Sequence, residues 1–216
     1  MKIILFGSTG MVGQGVLREC LLDSNVTEII TVVRKSTGET NPKLREIVHK
    51  DFLDFSSIEA QLSDADACYF CLGVSSAGMS EADYTRITYD MPMAAAKVLV
   101  SPKLTFIYVS GTGADRNVMW ARVKRKAEEG LIGMPFKAVY IFRPGFIQPL
   151  HGIKSRTRMY NLLYPLLYPV MLAMKFLAPK HITDTERLGQ AMLRVTRNGF
   201  PKHVLENPDI NIASTS

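Results

Sequence analysis

The sequence predicts an α/β fold: a doubly wound parallel sheet with helices on both faces and a small helical elaboration toward the C-terminus. Three observations carry this. Short apolar runs alternate with helical stretches along the chain, the pattern of a parallel sheet. The runs Ile3–Phe6 and Thr105–Val109 are apolar almost throughout, which suits strands covered on both faces. The first run enters Gly7-Ser8-Thr9-Gly10-Met11-Val12-Gly13, a tight glycine turn between a strand and a helix.

The elements follow in order. Strand Ile3–Phe6 leads to a helix over Val12–Leu22, where Val12, Val16 and Cys20 recur every four residues with Leu17 and Leu21 beside them, giving one apolar face. Strand Ile29–Val33 comes next, then a weaker strand, Glu46–Lys50, closed by Asp51. A short helix near Ser57–Leu62 precedes strand Ala67–Leu72, helix Asp83–Val100 precedes strand Thr105–Ser110, and helix Val118–Leu131 precedes strand Val139–Phe142. A capped helix is expected over Thr183–Arg194, with Thr183 or Asp184 ahead of Leu188, Ala191, Met192 and Val195. The chain of 216 residues fits one domain, 1–216.

Net charge is +6, which suits an anionic ligand or a membrane surface. No aromatic-studded basic stretch and no zinc-finger spacing is present, so a nucleic-acid partner is not expected. The histidines His49, His151, His181 and His203 are scattered, and no metal site is expected. Cys68 and Cys71 are three residues apart on a predicted strand, about 10 Å with side chains on opposite faces. A disulfide requires Cα atoms within about 7 Å. With Cys20 they read as reduced thiols, and the expected location is cytoplasmic. The N-terminus reads as a structural strand and not as a signal peptide.

In a parallel sheet the ligand sits beyond the C-terminal strand ends. Gly7, Thr9, Gly10, Met11, Val12 and Gly13 form a phosphate-binding turn. Its glycines allow close backbone approach to a pyrophosphate, and the free N–H groups of the next helix meet the negative charge. A branched side chain at Gly10 is expected to fill the pyrophosphate space and to strain a positive φ. The second strand ends in Arg34 and Lys35, where a fold holding NAD carries an acid about 20 residues past the glycines. A basic residue there pairs with a 2′-phosphate, so NADP(H) is the expected cofactor. The alternative is a pair of solvated loop charges. Asp51 is placed to accept a bond from an adenine amino group or to cap a turn. Gly73 either passes close to the cofactor or closes a simple turn. Ser110, with Thr112 beside it, places a hydroxyl at the nicotinamide end. Trp120 and Lys124 share one helix face.

With these residues the chain resembles the short-chain dehydrogenase/reductase superfamily, and more narrowly its atypical NAD(P)H-binding branch of NmrA-like and TIP30-like proteins. The resemblance rests on the glycine turn, Ser110, Lys124 and Phe142-Arg143-Pro144-Gly145, and it covers roughly residues 1–150. It implies a Rossmann-type domain, a serine or threonine at 110 or 112 that polarises a substrate carbonyl, Lys124 on the nicotinamide ribose, and Pro144 lining the nicotinamide pocket. The superfamily's Tyr-x-x-x-Lys pair is broken, because Trp120 stands where the tyrosine belongs. An indole has only an N–H donor and is no general acid near neutral pH. Three functions follow: an NADP(H)-dependent oxidoreductase of a small apolar carbonyl or sugar-like compound, a non-catalytic NADP(H)-binding redox-sensing regulator with a protein partner, or, from residues 159–178 alone, a membrane-surface associated factor.

Residues 151–200 form the expected apolar elaboration. Within them 159–178 is rich in Leu, Tyr and Met and approaches the ~20 residues that span a bilayer. Pro165, Pro169 and Lys175 interrupt it, and Lys154, Arg156, Arg158 and Lys180 flank it. It suits a substrate-pocket cover, a homodimer contact or a peripheral membrane contact.

Overall fold

The apolar run after Lys2 forms β1 (Lys2–Phe6), fully buried from Ile3 onward. Gly7 turns the chain into α1 (Met11–Leu22). β2 (Glu28–Val33) and β3 (Leu44–Val48) follow, then a 3₁₀ turn at Ser56–Gln61 and β4 (Ala67–Phe70). The next helix runs through α2 (Glu81–Thr85), a π segment (Arg86–Asp90) and α3 (Met91–Leu99). β5 (Thr105–Val109), α4 (Met119–Ile132), β6 (Ala138–Arg143) and β7 (Phe146–Gln148) come next. The chain continues in β8 (Ile182–Asp184), α5 (Thr185–Asn198), β9 (Val204–Glu206) and α6 (Asn207–Ala213). This computed structural model describes residues 1–153 and 181–215, so the apolar segment 159–178 lies outside the described residues.

The main sheet has the order β3-β2-β1-β4-β5-β6-β9, with every pairing parallel. The order reverses between β1 and β4, and ligands of such sheets bind in the crevice at that switch point. Gly7 sits there with φ +81, and a Cβ on it would stand 2.6 Å from Leu72 N. Alternating side chains split the core into two layers. Ile4, Phe6, Cys68, Phe70, Phe106 and Tyr108 face α3 and α4, whereas Ile3, Leu5, Tyr69, Ile107 and Phe142 face α1 and α5. Cys68 lies in the first layer and Cys71 packs on the second, as the strand spacing requires. Both thiols and Cys20 are free.

Four expectations change. β3 ends at Val48, level with the last residue of β2, and Lys50 has no strand to pair with. The His49 ring turns back onto the carbonyls of Asp51 (2.6 Å) and Asp54 (2.7 Å). The helix near Ser57–Leu62 is a 3₁₀ turn. Thr183 belongs to β8, and α5 starts one residue after Asp184, whose carboxylate accepts from Arg187 N at 2.7 Å. Finally, β9 and α6 extend the sheet and its helical layer with residues the apolar periodicity did not mark. α6 is set by Pro208 in its first turn and by a capping box between Glu206 and Asp209. Among the described residues no helix is long and apolar enough to cross a membrane.

Candidate functional site

The C-terminal edge of the sheet gathers most of the sequence-selected residues. At its centre is the glycine turn. Gly10 N donates to Gly7 O at 2.9 Å, and Gln14 Nε2 donates to Thr9 O at 3.1 Å. Gly10 is the helix N-cap with no side-chain cap, so no side-chain oxygen meets the first-turn N–H groups of Met11, Val12 and Gly13. The positive φ expected at Gly10 is found at Gly7; Gly10 has φ −81. Gly13 is needed for packing: a Cβ on it would stand 2.0 Å from Gly7 O.

β2 delivers Arg34 to the same edge. Phe6 pairs with Val32, so Arg34 lies just past β1, level with the glycine turn. It is exposed and has no hydrogen-bond or ion-pair partner among the described residues. Lys35 is exposed beside it. The loop that follows is tied down by Glu46, which accepts from Ser36 Oγ (2.7 Å), Thr37 N (3.1 Å) and Thr37 Oγ1 (2.5 Å). Burial raises the Glu46 carboxyl, but these bonds outweigh it and hold the group below its ordinary range. A cleft of about 410 Å³ opens between α1 and this loop, lined by Ser8, Gln14, Arg18, Glu39 and Asn41. Asp51 is exposed and accepts from Leu53 N at 2.9 Å, the turn-forming arrangement of its two readings. Gly73 is exposed three residues past β4, with nothing within 4 Å of a Cβ.

The corner between β5, β6 and α4 holds the other candidates. Ser110 is buried and donates its proton to Glu128 Oε1. Glu128 is 3% exposed and pairs with Arg143, whose Nε reaches Oε1 at 3.1 Å; Arg143 Nη1 reaches Glu206 at 3.1 Å. These hydrogen bonds, Glu128 first, push the Arg143 pKa above its ordinary value. The guanidinium thus ties the ends of β6 and β9 to Glu128 of α4, which also holds Ser110 at the end of β5. Thr112 Oγ1 donates to Arg143 O at 3.0 Å, and Thr112 N donates to Pro144 O at 3.0 Å. Pro144 itself is buried. Glu128 escaped the sequence reading although Trp120, Lys124 and Glu128 repeat every four residues on α4.

Lys124 is half-buried, its Nζ 5.9 Å from the centre of the Tyr108 ring, and its Cε is 3.9 Å from where a Cβ on Gly111 would stand. Burial pulls its pKa down to about 8, with Glu128 opposing. The indole of Trp120 packs over Gly113, 3.4 Å from a Cβ placed there. Behind Lys124, Tyr108 Oη donates to Thr88 O in the π segment at 3.0 Å.

Sheet order, glycine turn and site position define a Rossmann-type domain of the short-chain dehydrogenase/reductase fold. Solved structures agree in fold. An oxidoreductase of that family from Burkholderia thailandensis superposes with TM-score 0.70 at 12% identity, covering 98% of this chain and 92% of that one. A UDP-glucuronic acid 4-epimerase from Bacillus cereus, solved with NAD, gives 0.70 at 13%, covering 95% and 78%. Among curated proteins, the mitochondrial protein FMP52-1 of Scheffersomyces stipitis is 30% identical over 154 residues, 68% of this chain and 67% of that protein. The mitochondrial fmp52 of Emericella nidulans is 29% identical over 156 residues, 68% and 66%. The chain belongs to the Fmp52 family. The leucinostatins biosynthesis cluster protein T of Purpureocillium lilacinum is also similar, 31% identical over 165 residues, 72% of this chain and 61% of that protein. No protein-family profile matches the chain. The cytoplasmic location expected above is overturned by the Fmp52 relatives, which are named mitochondrial proteins. A reduced thiol reports a reducing environment and not which compartment provides it.

Proposed function

We propose that this chain binds NADP(H) across the C-terminal edge of its sheet and acts as an oxidoreductase on a small apolar carbonyl or sugar-like compound. The observation that carries the reading is Arg34, exposed and unpartnered among the described residues, at the strand end where an acid would select NAD. The cradle supports a diphosphate: Gly7 gives the turn, Gly10 leaves space on the ligand side, and the uncapped N–H groups of Met11, Val12 and Gly13 supply donors. Gly73 leaves open space beside the switch point. Lys124 would hold the ribose hydroxyls next to the nicotinamide. A bound nicotinamide supplies or accepts a hydride, and the protein's part is to position it, exclude water and move the proton. Within the superfamily, the likeness to the NmrA-like and TIP30-like branch is part of this reading.

A second reading, an NADP(H)-binding regulator without catalysis, is favoured by one observation: the Ser110 proton is committed to Glu128 while Trp120 replaces the phenol. The relatives' names support a mitochondrial location for this chain. Calorimetric titration with NADPH and NADH tests the cofactor, and a panel of carbonyl compounds followed by NADPH absorbance separates the two readings.

A further inference from the structure

We propose that Lys124 Nζ is the proton donor of this site, filling the role that the missing phenol at position 120 leaves open. The proposal rests on the NADP(H) reading above.

The donors in the corner differ in where their protons go. Ser110 gives its hydroxyl proton to Glu128 and Thr112 gives its own to Arg143 O. Tyr108 donates to Thr88 O, and Tyr84 is 2% exposed, with burial raising its phenol above the ordinary range. Trp120 has an indole N–H, and the guanidinium of Arg116 beside Gly113 does not release a proton in proteins. Lys124 remains: Nζ has no hydrogen bond and no ion pair among the described residues, and its Cε lies 3.9 Å from where a Cβ on Gly111 would stand, just past the end of β5.

Its surroundings suit the role. From β5 it faces the buried Tyr108 ring, and from its own helix Glu128, whose charge is already shared with Arg143. The segments packed against α4 bring Glu81, paired with Arg122, and Tyr89, whose ring is covered by Lys126 at 4.2 Å. With little charge to hold the ammonium, burial sets its proton affinity near neutrality, at about 8, which is where a general acid is most effective. In carbonyl reduction the carbonyl carbon receives a hydride from a reduced nicotinamide. The C=O π pair goes to oxygen, the Nζ–H bond breaks, and its electron pair stays on nitrogen. Alcohol, oxidised nicotinamide and a neutral amine result, and the amine recovers its proton from water.

The experiment compares the full chain with Lys124→Arg and Trp120→Phe, using NADPH with 9,10-phenanthrenequinone and a panel of aldehydes and ketones between pH 6 and 10. Arginine keeps a donor for the ribose but holds its proton. The expected result is NADPH affinity within about threefold in Lys124→Arg but kcat down by about a hundredfold or more. Wild-type kcat should fall as pH rises through about 8, and Trp120→Phe should stay within about threefold of wild type. A second readout needs no turnover. Trp120 is the single tryptophan, one helical turn from Lys124, so its emission in the NADPH complex should titrate near pH 8 in the wild type and not in Lys124→Arg. Unchanged kcat in Lys124→Arg, an NADPH complex that reduces none of the panel, or an emission that does not titrate overturns Lys124 as donor and leaves the nucleotide reading intact. A hundredfold loss in Trp120→Phe also overturns it, since the indole would then take part. A wild-type chain that binds no NADPH overturns both.

Discussion

Gly10 and Gly13 lie three residues apart in one turn and should fail for different reasons when substituted. A Cβ on Gly13 would stand 2.0 Å from Gly7 O, 2.6 Å from Gly7 C and 2.9 Å from Ser8 Cα. Those atoms are all backbone, so the turn must retreat by about 1.5 Å to reach ordinary contact. Overpacking of this kind costs about 1–3 kcal/mol, or about 2–12 °C in Tm for a domain of this size. The retreat also moves the N–H groups off a bound diphosphate, and losing two charge-assisted bonds costs about 3–6 kcal/mol of binding, a hundredfold or more. A Cβ on Gly10 meets only Gly7 O, at 3.4 Å, and its φ of −81 suits any residue. Gly10→Val should therefore lose no more than about 1 kcal/mol of stability, yet its branches fill the space a diphosphate needs. Thermal melts and calorimetry with NADPH separate the two. Gly13→Ala should lose stability and binding, and Gly10→Val binding alone. Wild-type NADPH affinity in Gly10→Val would refute the phosphate turn, and a Gly10→Val protein that melts below Gly13→Ala would refute the packing argument.

Arg143→Met should leave Glu128 as a buried, uncompensated carboxylate. That costs about 3–5 kcal/mol, a Tm drop of about 6–20 °C, whereas Arg122→Met breaks an exposed pair with Glu81 and should cost under about 1 kcal/mol; equal drops in the two melts would show that the Arg143 cluster does not hold the strand ends. A tagged chain should co-purify with mitochondria on cell fractionation, and recovery in the cytosolic fraction alone would contradict the location inferred from the relatives.

The first strand, its glycine turn and α1 were legible because each residue there answers to a local rule, strand burial or helix period. So were β2, β4 and β5 and the opposite faces of Cys68 and Cys71. The weak points were elements set by distant partners. β9 is only Val204–Glu206 and forms because β6 offers an open edge, which no local pattern announces. β3 stops at Val48 because β2 does. The same limit applies to the site. Ser110 was readable as a strand-end hydroxyl, but its proton goes to Glu128, 18 residues on, and Glu128 is fixed in turn by Arg143, 15 residues further along. A motif places a side chain at an edge, and only the packed structure decides which partner takes its proton. The four-residue repeat of Trp120, Lys124 and Glu128 was the one available signal.

Binding of NADPH and NADH to the purified chain, measured by calorimetry in the wild type and in Arg34→Ala, decides whether Arg34 selects the 2′-phosphorylated cofactor. Arg34 lies level with the glycine turn with its guanidinium free of other partners among the described residues, and one charge-assisted contact to a 2′-phosphate contributes about 1.5–3 kcal/mol, ten- to a hundredfold in affinity. NADPH should bind more tightly than NADH by that factor, and Arg34→Ala should remove the difference while leaving NADH affinity unchanged. Equal affinities in the wild type, or a preference that survives in Arg34→Ala, would contradict it.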